Sequence, residues 1–211
     1  EGGGICVAES SVTVANSTFS GNKANSQGGA IFNGTSGALT ILNGRFLGNS
    51  AGHNGGAIQN DSILTVVNST FVGNSAEYDG GAIRSYLSVA ITNCTLTHNS
   101  AGYSGGGIFV GRGGLELHNS ILWQNRGGDL KNAEPQFVSP SSSASGNLIG
   151  IDPCFARDPS DGGDGWGDDL GTPDVDESAN DDYGDLRLKS ESAAVDLGEA
   201  PPMVAPALPE D

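Results

Sequence analysis

The chain has 211 residues, of which 34 are glycine and 16% are charged, and its formal net charge is −16. That balance argues against nucleic acid and anionic membrane surfaces as partners, whose own negative charge would be repelled, and it suits one elongated, turn-rich domain. No apolar run approaches the roughly 20 residues of a membrane-spanning helix.

The sequence opens at Gly2-Gly3-Gly4-Ile5, inside a unit that recurs, so it reads as a mature or trimmed product with no signal peptide ahead of Glu1. Isoleucine after a small-residue triplet falls at Ile5, Ile31, Ile58, Ile83 and Ile108, in steps of 26, 27, 25 and 25. An alternating apolar pair follows in each unit: Val12 and Val14, Leu39 and Ile41, Leu64 and Val66, Val89 and Ile91, Leu115 and Leu117. Next come a first Asn (Asn16, Asn43, Asn68, Asn93, Asn119), a large apolar residue (Phe19, Phe46, Phe71, Leu96, Leu122) and a second Asn (Asn22, Asn49, Asn74, Asn99, Asn125). The apolar stretches are too short for helices, and alternation between Gly, Asn and Ser breakers indicates strands. A strand this short is not stable alone, so each copy must hydrogen-bond to the next. The expected fold is all-β, a parallel β-helix of about 25–27 residues per coil, with coils about 4.8 Å apart.

Within a coil, the pairs Gly28-Gly29, Gly55-Gly56, Gly80-Gly81 and Gly105-Gly106 precede the inward Ile, where a positive φ or a close backbone approach excludes Cβ. The first Asn column shares the parity of the inward apolar pair, which predicts amides turned into a corner and bonded to the Asn above and below. The sequons at Asn16, Asn68 and Asn93 would then have no room for a glycan, whereas Asn33 and Asn60, expected in the following loop, remain open as acceptors.

Five residues before the Ile stand Ser26, His53, Tyr78 and Tyr103, so that three rings are expected to stack along one corner. Stacked rings either bind sugar faces or only brace the corner. The outward charges, including Asp61, Asp79, Arg84 and Arg112, read as isolated, with Arg84 in a column with Cys6, Phe32, Gln59 and Phe109. His53, His98 and His118 fall at separate coil positions, and Cys6, Cys94 and Cys154 provide no disulfide framework.

Beyond Asn125 the period loosens, and Leu148-Ile-Gly-Ile151 is consistent with one or two irregular coils; the regular region is taken as 1–151. Residues 152–198 form an acidic insertion and closing strand, with twelve carboxylates and one arginine between Asp152 and Asp185. Asp158, Asp161, Asp164, Asp168 and Asp169, spaced by Gly and Ser, could supply oxygen ligands to Ca²⁺, or simply make solvated turns. Leu186-Arg-Leu188 alternates again and is expected to rejoin the rod and close its end. Residues 199–211 read as a Pro-rich tail.

The G-G-A-[ILV] plus F-x-x-N unit resembles the repeats of polymorphic outer-membrane proteins and related secreted bacterial right-handed β-helix proteins. Asp152-Pro-Cys-Phe155, Gly184-Asp-Leu-Arg-Leu188 and Ser192-Ala-Ala-Val-Asp-Leu-Gly198 resemble that group's closing segment. The fifth unit departs from it, reading Leu122-Trp-Gln-Asn125. The resemblance implies a right-handed coil, an extracellular or cell-surface location and adhesive or scaffold roles, with no catalytic residues to carry over. The function expected is a non-enzymatic surface structural or adhesive element. Its partners are either surface glycans, at His53, Tyr78 and Tyr103, or further copies stacked end to end into filaments through exposed coil edges. The alternative is a polysaccharide-active lyase or hydrolase.

Overall fold

A computed structural model of the chain describes residues 1–132, 144–160 and 182–189. The first coil holds β1 (Ile5–Val7), β2 (Ser11–Ala15), β3 (Thr18–Ser20) and β4 (Lys23–Ala24). The second holds β5 (Ile31–Asn33), β6 (Ala38–Leu42), β7 (Arg45–Leu47) and β8 (Ser50–Ala51). The third holds β9 (Ile58–Asn60), β10 (Ile63–Val67), β11 (Thr70–Val72) and β12 (Ser75–Ala76), and the fourth β13 (Ile83–Ser85), β14 (Val89–Thr92), β15 (Thr95–Thr97) and β16 (Ser100–Ala101). The fifth continues with β17 (Ile108–Val110), β18 (Leu115–His118) and β19 (Ile121–Trp123), and a less regular sixth with β20 (Leu130–Asn132), β21 (Ala144–Ser145) and β22 (Leu148–Ile149).

Corresponding strands of successive coils pair in parallel. The order β1-β5-β9-β13-β17-β20 makes one sheet, β2-β6-β10-β14-β18-β21 a second, β3-β7-β11-β15-β19-β22 a third and β4-β8-β12-β16 a fourth. The register places Ile31, Ile58, Ile83 and Ile108 over one another, and each is fully buried. Phe19, Phe46 and Phe71 stack likewise, with ring centroids 5.0 and 4.6 Å apart and planes within 6°. The fold is therefore an all-β parallel solenoid whose core is a set of columns of like apolar residues. The glycine pairs are there for geometry: Gly55 has φ +66°, and a Cβ on Gly56 would lie 2.1 Å from the Gly81 carbonyl oxygen of the next coil.

The first asparagine column does not turn into the corner as expected. Asn16, Asn43, Asn68, Asn93 and Asn119 adopt φ between 49° and 55°, which turns their side chains away from the core at the end of the second-sheet strands. Asn16, Asn43, Asn68 and Asn93 are exposed, and the bonds from Asn43 Nδ2 to Asn16 Oδ1 (2.9 Å) and from Asn93 Nδ2 to Asn68 Oδ1 (3.1 Å) run along the outside. The buried ladder is the second column. There each Nδ2 donates to the Oδ1 of the next coil at 2.8 Å from Asn22 through Asn49, Asn74 and Asn99 to Asn125. The same oxygens also accept the backbone N–H of the preceding Asn at 3.0 Å.

Asn33 and Asn60, expected in a loop, are instead the last residues of β5 and β9 and are wholly buried. Asn33 Nδ2 donates to Asn60 Oδ1 at 2.6 Å, and Asn60 Nδ2 to Ser85 Oγ at 2.8 Å. The apolar-in parity continues through the strand end, so these amides form a second inner ladder. A third column joins side chains to backbone: Gly44 N–H donates to Ser69 Oγ (2.9 Å), Ser69 N–H to Cys94 Sγ (3.4 Å), Cys94 N–H to Ser120 Oγ (3.1 Å) and Ser120 N–H to Asn147 Oδ1 (2.9 Å).

The strand expected to rejoin the rod, at residues 186–188, pairs with none of the rod sheets among the described residues, and residues 193–195 lie outside those residues. β23 (Phe155–Arg157) and β24 (Asp185–Leu188) pair with each other in an antiparallel hairpin. That hairpin faces the outside of the third sheet. Leu47, Val72 and Thr97 alternate with the core residues Phe46, Phe71 and Leu96 and so point outward, yet are 7%, 0% and 0% exposed. Leu47 and Val72 border a cleft whose other wall carries Tyr183 and Leu186, and Phe155 of β23 is 1% exposed. Leu186 and Leu188 thus serve a two-stranded flap, because β23 offers an antiparallel partner closer in sequence than a rod edge.

Candidate functional site

The corner between the fourth and first sheets carries the predicted ring column. Tyr78 and Tyr103 stack with centroids 5.2 Å apart and planes at 7°, and His53 meets Tyr78 edge-on at 5.4 Å and 85°. The backbone of each lies on the one before: Tyr78 N–H donates to His53 O and Tyr103 N–H to Tyr78 O, both at 2.9 Å. Tyr103 is 70% exposed and Tyr78 42%, so the outer edges of the stacked rings reach solvent while the face they share is covered. His53, Asn54, Tyr78 and Asp79 line an open depression of about 280 Å³.

Beside the rings lies a charged group that column reading treats as isolated. Arg84 Nη1 is 3.5 Å from Asp61 Oδ1, and Gln59, fully buried, donates from Nε2 to that same oxygen. The guanidinium also sits over the rings of Tyr86, at 5.4 Å, and Phe109, at 6.0 Å, and Arg112 covers Tyr86 at 5.4 Å. Burial raises the Asp79 carboxyl above its usual range, while the Arg84 charge and the Ser104 backbone N–H pull it back. Arg84 is therefore flanked by two carboxylates from different coil positions. The signal was available: Asp61 and Tyr86 each stand two residues past the Gln59–Arg84 column, which places Asp61 diagonal to Arg84 once adjacent coils are in register.

Two buried polar atoms of this group have no partner in the structure, Gln59 Oε1 and Arg84 Nε. They belong to neighbouring coils of one sheet, with Gln59 and Arg84 in register. The band running from Tyr103 through Tyr78, Asp79, Arg84 and Tyr86 to Arg112 thus combines aromatic rings, carboxylates and guanidinium groups on one side of the rod. Aromatic rings are suited to the apolar C–H surface of sugars, and the polar groups to hydroxyl recognition.

Residues 1–138 match the family model described as a right-handed β-helix region. The chain belongs to the right-handed β-helix family. No curated protein and no solved structure matches the chain. The finer likeness of this β-helix to polymorphic outer-membrane protein repeats rests on its sequence motifs alone.

Among the residues expected to hold calcium, Asp158 is exposed next to β23, and Asp161, Asp164, Asp168 and Asp169 lie outside the described residues. Among the described residues no three His, Cys, Asp or Glu side chains come together as a metal site, and no helix is long and apolar enough to cross a membrane. The three cysteines are free thiols: Cys6 is exposed, Cys154 half-buried and Cys94 buried, with burial pushing the Cys94 thiol up to about 12.

Proposed function

We propose that this β-helix is a non-catalytic structural element of the cell exterior that binds glycan chains along the Tyr78–Tyr103 corner. The observation that supports the reading is the ring column on one exposed corner, its last ring Tyr103 70% exposed, with Asp79 and Asn54 beside it. Rings stacked one coil apart turn a ridge of aromatic edges to solvent, and the last tyrosine of the column offers a ring on which a sugar of an extended chain can lie. A family fold found in surface and polysaccharide-related proteins is compatible with this, and the repeat likeness to outer-membrane proteins favours the exterior location. Calcium on the acidic segment and end-to-end contact through the edge strands β1, β2, β3 and β4 are accessory features of the same proposal.

Binding to a glycan array, followed by titration of each hit, tests it. Tyr103→Ala removes an exposed ring without touching the core and is expected to weaken binding about tenfold or more, the loss of one ring contact of ~1–1.5 kcal/mol plus its buried area. Undiminished binding by Tyr78→Ala and Tyr103→Ala together would sink the proposal.

A second reading, cleavage of an acidic polysaccharide, is favoured by the placement of Arg84 between Asp61 and Asp79. It ranks below binding because Arg84 is held by Asp61 and covered by Tyr86 and Phe109. Release of unsaturated or reducing ends from acidic polysaccharides, lost in Arg84→Gln, would reverse that ranking.

A further inference from the structure

A cleft on a different face, between the hairpin β23–β24 and the third sheet, has a volume of about 510 Å³. Arg45 stands on its rod wall and Arg157 and Arg187 on its hairpin wall. These are three of only nine Lys and Arg residues in a chain of net charge −16, and no carboxylate is among the described lining residues.

The three guanidinium groups are not equivalent. Arg157 donates to the Asp182 carboxylate across the hairpin, and Arg187 has an interaction of its own, so both are fixed wall groups. Arg45 is exposed, and among the described residues it pairs with no carboxylate. It also breaks its column: the positions in register with it carry Thr18, Thr70, Thr95 and Ile121. A guanidinium with no carboxylate partner among the described residues, on a threonine column where the hairpin creates a cleft, is the residue type that takes a carboxylate or sulfate by paired N–H donors. Leu186 and the edge of Leu47 give the cleft an apolar floor backed by the buried Val72, Thr70 a hydroxyl and Tyr183 an aromatic wall. That mixture suits a sugar ring bearing an oxyanion, and the volume falls within the ~300–1,000 Å³ of small-ligand sites.

We infer that this cleft is an acidic-sugar site, in which Arg45 binds the carboxylate or sulfate of a terminal saccharide unit while the apolar floor and Tyr183 receive its ring. The net charge restricts the ligand to one that presents a single anionic unit. A long polyanion would meet the repulsion of the rest of the surface, whereas a terminal unit interacts within the ~8 Å screening length of physiological salt. The site is separate from the Tyr78–Tyr103 strip, and the two stand or fall independently.

Calorimetric titration of the full chain with sialyllactose, lactose 3′-sulfate, neutral lactose and inorganic sulfate tests the inference. One of the two acidic sugars should bind with one-to-one stoichiometry and neutral lactose should not. Arg45→Gln should raise Kd about tenfold or more, the loss of one charge-assisted contact, while the exposed Arg126→Gln variant binds as the parent does. Thermal melting checks that Arg45→Gln is folded. Equal binding by Arg45→Gln, equal binding of neutral lactose, inorganic sulfate binding as tightly as the acidic sugar, or no binding of either acidic sugar would each overturn it.

Discussion

Asn125 Nδ2 donates to the Asp129 Oδ1 carboxylate at 2.7 Å, four residues further along the chain, where every earlier rung of the buried ladder spans 25–27 residues to the next coil. The Asn125 backbone N–H donates to the same oxygen at 3.1 Å. All the amides of the ladder point one way, each oxygen accepting from the Asn before it and each Nδ2 also donating back to a carbonyl such as Phe46 O or Leu96 O. A rung that ends such a series has only to accept. A carboxylate, which accepts and does not donate, meets that requirement.

Asp129→Ala should therefore cost about 2–4 kcal/mol, since it leaves two donors of Asn125 unsatisfied in a buried setting. Asp129→Asn keeps an acceptor and should cost less than about 1.5 kcal/mol. Asn74→Leu, in the middle of the ladder, should be worse than either, because it strands the N–H of Asn49 as well as its side-chain amide. Urea unfolding measures all three, and equal stability of Asp129→Ala and the parent would remove the terminating role of Asp129.

Cys94 occupies a serine position. Its sulfur accepts from Ser69 N–H and lies 3.2 Å from Thr92 O, as Ser69 Oγ and Ser120 Oγ lie 2.8 Å from Val67 O and His118 O. Cys94→Ser should be tolerated within about 1 kcal/mol, whereas Cys94→Val, apolar and similar in size, should cost about 1–3 kcal/mol for the orphaned N–H. Thiol labelling should modify Cys6 in the folded protein and Cys94 only after unfolding.

The same thiol makes stability fall at high pH. Its folded value is raised from 9.0 to about 12, so its contribution is complete below 9.0 and is lost as pH rises toward 12, where only the unfolded chain ionises freely. Denaturant midpoints measured across that window should decline more steeply for the parent than for Cys94→Ser.

Asp79 follows the same sign at the acidic end. Burial raises its carboxyl above 3.8 despite the Arg84 charge, so the stability it contributes is full below 3.8 and diminishes as pH rises through its folded value. Asp79→Asn should therefore gain in melting temperature relative to the parent as pH climbs from acid to neutrality. A constant difference across that range would mean that the carboxylate is not penalised in the fold.

The outward turn of the first asparagine column inverts the expected glycan acceptors. When the chain is passed through a eukaryotic secretory pathway, the folded product should carry N-glycans at Asn16, Asn68 or Asn93, which are exposed, and none at Asn33 or Asn60, which are buried in the strands. Glycopeptide mass spectrometry reads the sites directly, and occupancy of Asn60 in folded protein would contradict the inner ladder.

The repeat itself, its strands, the stacked isoleucines and the ring corner were legible in the sequence because a coil that repeats every 25–27 residues copies each side chain onto its own image. Periodicity says which residues are superposed. It does not say which way a column faces once the chain turns. A left-handed backbone at Asn16 and its equivalents sends the first Asn column out and leaves the second to fill the core. Nor does a column show its diagonal neighbours, so Asp61 beside Arg84 emerged only when adjacent coils were brought into register. The hairpin of β23 and β24 has no repeat to report its position. Its seat over Leu47 and Val72, and with it the arginine cleft, depends on burying two apolar side chains that strand alternation had directed toward water.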